Sequence, residues 1–370
     1  MNAPLIALIL IAVLWSTLSV EGNGSVTLNR SDLEPPTESI ALRFVFVGCN
    51  RIAYDDRTHS NASLANVPTL KRILNEVAGM EREPDLLFML GDLILGETNT
   101  TDLNSQLEAW VQQYEDTSFS DIQSSGVELV AVPGNHEMLY YDDASGQEYP
   151  LAGAIDVWLK HMTPYLPKDR ISDPSDPIVH GATFAFTRGN VVFVIMDTDT
   201  YNDNKLEGQV PSQWINQQVE KYAQDEQIEH IFVLGHRPYY VDGAINTGHG
   251  GFPGGPTIWP TLQANRVLAM LCAHQHVYDR QQPVTPGVNQ ITAGHGGTYN
   301  DCCTPQFFGY CVIDILTNGD VELTTYGWNV GKPSYGPSSA QTTVRDRTTL
   351  TWEANKNPYT RPVCIAVDSK

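Results

Sequence analysis

LLFMLGD at residues 86–92 and VELVAVPGNHE at residues 127–137 share one construction: an apolar run, a glycine, then polar residues able to do chemistry. Short runs rich in Val, Leu, Ile and Phe read as strands buried on both faces. The construction recurs outward in both directions. Upstream, Ile40 to Val47 (IALRFVFV) leads to Gly48-Cys49-Asn50-Arg51. Downstream, Ile231 to Leu234 (IFVL) leads to Gly235-His236-Arg237-Pro238, and Val267 to Cys272 (VLAMLC) leads to Ala273-His274-Gln275-His276. Helical faces lie between: Leu70, Ile73, Leu74 and Val77, closed by Gly79; Leu103, Leu107, Trp110, Val111 and Tyr114; then Trp214, Ile215, Val219 and Tyr222. Strands alternating with helices imply an α/β fold, whose ligands gather beyond the carboxyl ends of the strands. The polar clusters are therefore expected to form one site. Hairpin signals at Arg188-Gly189-Asn190 and at Asn318-Gly319 make the sheets mixed.

The rest of the chain bounds the setting. Residues 5–18 form an apolar run, short for a membrane span and followed by small and polar residues, with an uncleaved membrane anchor as the rival reading to a signal peptide. Residues 1–22 are expected to be a signal peptide and 23–39 an extended lead-in segment. The catalytic domain is expected over 40–333, with 334–370 as a polar tail packed on it. The expectation is a secreted protein, or one in the periplasm or an endomembrane lumen, with no stable membrane insertion after cleavage. Acidic residues number 43 against 22 basic, a net charge of −21, which repels nucleic acid and attracts cations. In an exported chain some of the cysteines should pair. Vicinal Cys302 and Cys303 are expected to take separate partners, with Cys311 and Cys364 the nearest candidates. Asn23, Asn29, Asn61 and Asn99 open glycosylation sequons, a motif short enough to arise by chance.

Borderline divalent metals take carboxylate, imidazole and amide oxygen. The strand ends supply Asp92, Asn135, His236, His274 and His276. An Asp can bridge two ions, while neutral His and Asn complete each shell without excess charge. Two ions roughly 3.5–4 Å apart can hold a phosphoryl oxygen, acidify a bound water and stabilise the leaving oxygen. On an extended segment His274 and His276 point the same way, so giving each its own ion needs a turn at the strand end. Singly, a Gly-Asp after a strand is a turn and a His-x-His is a surface pair. Their joint placement after successive strands is what points to a metal site.

Gly91-Asp92, Gly134-Asn135-His136-Glu137, Gly235-His236 and Ala273-His274-Gln275-His276 resemble the ordered motifs of the calcineurin-like metallophosphoesterase superfamily. His236-Arg237-Pro238-x-Tyr240, His276-Val277-Tyr278-Asp279-Arg280 and Ala293-Gly294-His295-Gly296-Gly297 are similar to its purple acid phosphatase branch. The resemblance runs over about residues 40–330. It implies a four-layer αββα sandwich of two mixed β-sheets flanked by helices, with a dinuclear site at the strand carboxyl ends. It implies two divalent or trivalent ions (zinc, iron or manganese) and a small phosphate ester as substrate, either monoester or diester. By position, Asp92 would bridge the ions, Asn135, His236 and His274 would hold the second, and His276 the first. His136 would contact substrate or protonate the leaving group, and Glu137 would orient its neighbours. His249 falls where that branch keeps a substrate-side histidine, and His295 either lines the pocket or has no role.

Two positions depart from the pattern. The superfamily's first motif offers an Asp, often with a His two residues on, where this chain has Cys49 and Arg51. The purple branch places a Tyr three residues after the bridging Asp, where this chain has Leu95. Cys49 is either a thiolate ligand or a buried strand-end residue. Arg51 either binds the substrate phosphate through its planar fork or pairs with a surface carboxylate. The alternative to an enzyme is a degenerate member of the fold that binds metal or a partner with little turnover.

Overall fold

The computed structural model describes residues 39–364 other than 54–60, 143, 177, 201–209, 242–249, 253, 300–302, 305, 332–334, 336–337, 356–358 and 362. The stretch expected to be a signal peptide and nearly all of the expected lead-in segment lie outside these residues, as do His249 and Cys302. The first half comprises β1 (Ile40–Val47), α1 (Val67–Ala78), β2 (Leu86–Leu90), α2 (Thr100–Glu115) and β3 (Glu128–Val132). A one-turn helix α3 (Asn135–Met138), the hairpin β4 (Leu139–Asp142) and β5 (Gln147–Pro150), and α4 (Ala154–Met162) follow. Then come β6 (Phe184–Arg188), β7 (Val191–Met196), α5 (Ser212–Ala223), β8 (His230–Gly235), α6 (Gly255–Ala264), β9 (Ala269–Cys272), β10 (Tyr278–Gln281) and β11 (Asn289–Ala293). The described chain closes with β12 (Cys303–Thr304), β13 (Phe307–Leu316), β14 (Val321–Asn329), β15 (Thr343–Leu350) and β16 (Val363–Cys364).

Two mixed six-stranded sheets result, ordered β15-β14-β13-β1-β2-β3 and β10-β11-β9-β8-β7-β6. β1, β2 and β3 are parallel to one another, as are β7, β8, β9 and β11; the remaining pairings are antiparallel. The sheets face each other through aromatic rings. Phe44 of β1 lies edge-on to Phe88 of β2 at 5.6 Å and, across the gap, to Phe193 of β7 at 5.1 Å and Phe232 of β8 at 5.2 Å. Truncating such a fully enclosed ring to Ala costs about 3–5 kcal/mol. Along β7 the strand period of two separates the layers: Val191, Phe193 and Ile195 join the inter-sheet core. Val192, Val194 and Met196 instead pack with Ile215 and Val219 of α5 and Ile258 and Leu262 of α6.

On the other side, α1 starts where Asn66 accepts a hydrogen bond from the Thr69 N–H and ends at Gly79, whose N–H returns to Asn75 O; its apolar face is buried throughout. α2 is capped by Asn99, whose Oδ1 accepts from the Asp102 N–H at 2.9 Å. The αββα architecture implied by the resemblance is the architecture found.

The segment read as a polar tail contains β15, which extends the first sheet as its edge strand. Its sequence, TVRDRTTL, is polar because an edge strand keeps one flank in water. Cys311 is not a disulfide partner: it is a free, fully buried thiol in β13, with Sγ 3.4 Å from Thr325 Oγ1. Its strand position turns it into the core, away from any loop cysteine. Among the described residues no disulfide is found, and Cys303 and Cys364 are register partners in the β12–β16 ladder.

Candidate metal centre

The strand ends turn sharply. Six non-glycine residues among those described have positive φ, and three of them are Cys49 (59°), Asp92 (55°) and His274 (63°). Each stands two residues beyond its strand (β1, β2 and β9 respectively). A non-glycine residue in this region carries strain of about 1–3 kcal/mol, which persists only where the surroundings enforce it. Here they do: Cys49 N–H donates to Gly91 O at 2.9 Å, Asn50 N–H to Asp92 O at 2.8 Å, and Ala273 N–H to His236 O at 2.8 Å. Gly91 is required for the same reason, since a Cβ there would stand 2.5 Å from Gly134 N and 2.8 Å from His236 Nδ1.

Into this corner the two sheets aim four donors. His236 donates its Nδ1–H to the Leu90 carbonyl at 2.7 Å, turning Nε2 toward the site. That Nε2 lies 3.0 Å from Asn135 Oδ1, 3.2 Å from His274 Nδ1 and 3.2 Å from Asp92 Oδ1. Asn135 Oδ1 and His274 Nδ1 are themselves 3.0 Å apart. Ligands about 2.0–2.2 Å from one ion stand roughly 3–3.5 Å from each other. The His236–His274–Asn135 triangle therefore fits a single metal ion, with Asp92 beside it. All four residues are buried.

The electrostatics suit a cation. Burial pushes the Asp92 carboxyl up, but His236, His136 and Arg51 outweigh it and hold Asp92 well below the usual carboxylate range. Burial pushes His236 down, yet Asp92 wins and keeps it above its ordinary value, the mark of a site that favours positive charge. Asp92 Oδ2 is buried without a hydrogen-bond partner.

Sequence reasoning missed the residues that hold the donors. Glu148 of β5 accepts from Asn135 Nδ2 at 2.6 Å and from Arg237 Nη2 at 2.6 Å. Arg237 also donates through Nε to Asp199 at 2.5 Å, and its Nη1 reaches His274 Nε2 at 3.2 Å. Asp199 carried a readable signal, because MDTDT after the β7 run VVFVI repeats the strand-then-polar construction. Glu148, on a partly exposed hairpin, carried none.

Glu137 is fully buried and gathers the loop backbone: it accepts from Gly134 N–H at 2.7 Å, Leu93 N–H at 2.8 Å and Asp92 N–H at 3.0 Å. Burial and Asp92 push its carboxyl up to about 7, while these donors favour the charged form. His136 donates Nδ1–H to the Leu95 carbonyl, and its Nε2 stands 4.0 Å from Asp92 Oδ2. Burial and then Arg51 push it down to about 3, so the ring is neutral at neutral pH.

The β1 side differs from the expectation. Cys49 Sγ, an Asp92 oxygen and a His236 nitrogen lie within 4.8 Å of one another, so Cys49 does join the cluster. It accepts the His274 N–H at 3.1 Å, and burial followed by Asp92 pushes the thiol well above its ordinary value. His276 is buried but is not in that group. Arg51 is turned inward: its Nε is 3.5 Å from Asp92 Oδ2, and the side chain is 5% exposed. The left-handed turn at Cys49 sends the chain back over Asp92, whose carbonyl accepts the Arg51 N–H at 3.0 Å. His295 is fully buried between Tyr278 and Phe307, at 5.6 and 5.2 Å. Leu95, in the place of the purple-branch tyrosine, is buried with Ile52 and Tyr335.

Residues 43–278 match the family described as calcineurin-like phosphoesterase. The chain belongs to that family. Calcineurin-like phosphoesterases of this fold include the purple acid phosphatase of yellow lupin (Lupinus luteus) seeds, with TM-score 0.52 and 18% identity over 85% of this chain. The present phosphoesterase chain spans 55% of the lupin one. PhoD aligns with TM-score 0.56 and 13% identity, over 89% of this chain and 74% of its own. GAP50, the anchor in the inner membrane complex of Plasmodium, aligns with TM-score 0.50 and 16% identity, over 86% and 91%. At these identities the likeness is one of fold. No curated protein sequence matches the chain.

Proposed function

We propose that this calcineurin-like phosphoesterase is a secreted, metal-dependent hydrolase of small phosphate monoesters or diesters. The observation that carries the reading is the convergence of His236 Nε2, His274 Nδ1 and Asn135 Oδ1 within 3.0–3.2 Å of each other beside Asp92 Oδ1. Neutral imidazole and amide donors with one carboxylate suit zinc, iron or manganese. A bound ion there supplies a Lewis acid for a phosphoryl oxygen and acidifies a water. The two-ion centre implied by the resemblance additionally requires Cys49, His276 and Asp92 Oδ2 to close on another ion. Glu148 and Arg237 fix the Asn135 and His274 rings and amides in place. His136, a neutral imidazole beside Asp92, stands where it can contact a water or substrate hydroxyl, a hydrogen-bonding group more than a proton donor. Secretion rests on the apolar run at residues 5–18, and a mature N-terminus near residue 23 would support it.

A second reading, a degenerate member that binds metal or a partner with little turnover, is favoured by the Arg51–Asp92 contact. Purified protein assayed on aryl phosphate monoesters and diesters, with metal analysis, separates the two. Hydrolysis lost to chelator and restored by zinc or manganese supports the first. Retained metal without turnover of either ester class favours the second.

A further inference from the structure

We propose that the Arg51 guanidinium is a built-in cation standing where the first ion of a dinuclear centre would be, so that this chain holds one metal ion. The inference rests on the metal-dependent reading above for the ion that remains. Its basis is the way Asp92 divides its two oxygens. Oδ1 faces His236 Nε2 at 3.2 Å and accepts the His136 N–H at 3.2 Å, on the side where Asn135 and His274 converge. Oδ2 faces Arg51 Nε at 3.5 Å, and both side chains are almost wholly buried.

A bridging carboxylate gives one oxygen to each cation. Here the second oxygen is given to a guanidinium.

Arg51 is held there by the backbone around it. Its N–H donates to Asp92 O at 3.0 Å, its carbonyl accepts from Thr298 Oγ1 at 2.8 Å, and it forms a bridge with Ala65. Its Nη1 donates to Ile52 O at 3.0 Å, which fixes the plane of the fork. A side chain so anchored cannot swing aside for an ion without leaving a buried charge in poor company, a change worth several kcal/mol. Like charge completes the exclusion, since a divalent ion against Asp92 Oδ2 would sit beside the guanidinium. Cys49 Sγ beside it is engaged as well, accepting the His274 N–H at 3.1 Å. The charge seen by Asp92 is preserved as well: a carboxylate with a divalent ion sums to +1, and so does a neutral thiol with an arginine.

The test is a count of ions. Chelator-stripped full-length protein is titrated with zinc by calorimetry, and the zinc-saturated, desalted protein is measured by plasma mass spectrometry. The expected ratio is one zinc per chain. The double variant Cys49→Asp/Arg51→His, which removes the cation and supplies two metal donors, is expected to take up two. Arg51→Lys, which keeps the charge, is expected to stay at one. Two zinc ions per wild-type chain would overturn the inference, as would a double variant that melts like the wild type yet binds only one. If the double variant does not fold, the wild-type ratio decides alone. A ratio of one without ester hydrolysis leaves this inference standing and removes the hydrolase reading. A ratio of two with hydrolysis does the reverse, and a ratio of zero removes both.

Discussion

The two flanks of Asp92 are built from the same kind of strand end and have opposite characters. On the β3, β8 and β9 flank, Asn135, His236 and His274 present neutral donors, each oriented by a further contact: Glu148, the Leu90 carbonyl and Arg237. On the β1 flank the same Asp92 meets a guanidinium and a thiol. One flank is arranged to receive positive charge, and the other already contains it. A bridging carboxylate therefore reports on both neighbours at once, and its two oxygens are worth reading separately.

The largest expected effect strikes both flanks together. Asp92→Asn replaces a charged carboxylate by an amide with one oxygen, and should remove bound zinc and lower kcat/KM by more than about 10³-fold. An unchanged melting curve would show that the fold survives; near-normal zinc content in the variant would refute the assignment. Next comes His136→Ala, which lies outside the His236–His274–Asn135 triangle. It should retain zinc and lower kcat by about 10²-fold, through loss of a group that contacts the substrate. A vacated metal site in that variant would make His136 a ligand instead.

Glu148→Ala isolates the donor flank. With Asn135 and Arg237 released, zinc affinity should fall by about 10–100-fold while expression and melting hold, because Glu148 lies on a peripheral hairpin. The same flank should respond to acid. His236 is raised above its ordinary value by Asp92, and zinc needs the unprotonated ring. Affinity is therefore complete above that raised pKa and drops by about tenfold per pH unit below it. A flat calorimetric profile down to pH 5 would show that His236 does not bind the ion. The smallest effect is expected at Cys49→Ser, which keeps an acceptor for the His274 N–H and should leave the zinc ratio unchanged. A lower ratio would place the sulfur on the ion and erase the difference between the flanks.

The parts of this site legible in the sequence were those that immediately follow an apolar run. Asp92, Asn135, His236 and His274 qualify, because a buried strand fixes where its next residues emerge. Most of the buried strands and three of the helical faces were legible for the same reason, since their apolar runs and periods are clear. Arg51 was not, because its partner depends on the left-handed turn at Cys49, and nothing about a cysteine foretells that conformation. Which way the His274-x-His276 pair points was not legible either, because it is decided by the backbone at His274, which has φ of 63°. Glu148 comes from a hairpin whose sequence, QEYP, has no pattern to mark it. β15 was hidden by its own polarity, which is what an unpaired sheet edge demands.

The position of β1 has a consequence for how the chain is made. β1 lies inside its sheet, with β2 on one side and β13 on the other, and Ile40 is the register partner of Leu316. During synthesis β2 can join soon after β1, but the opposite flank of β1 stays open until nearly the whole domain has emerged. Contacts between such distant segments form slowly, and an apolar strand with a bare flank is prone to pair with the wrong chain. A ribosome stalled before β13, or a fragment ending near residue 300, would release the aromatic face of Phe44 with its neighbour missing. Yield from an expression host should accordingly depend on elongation through the last third of the message.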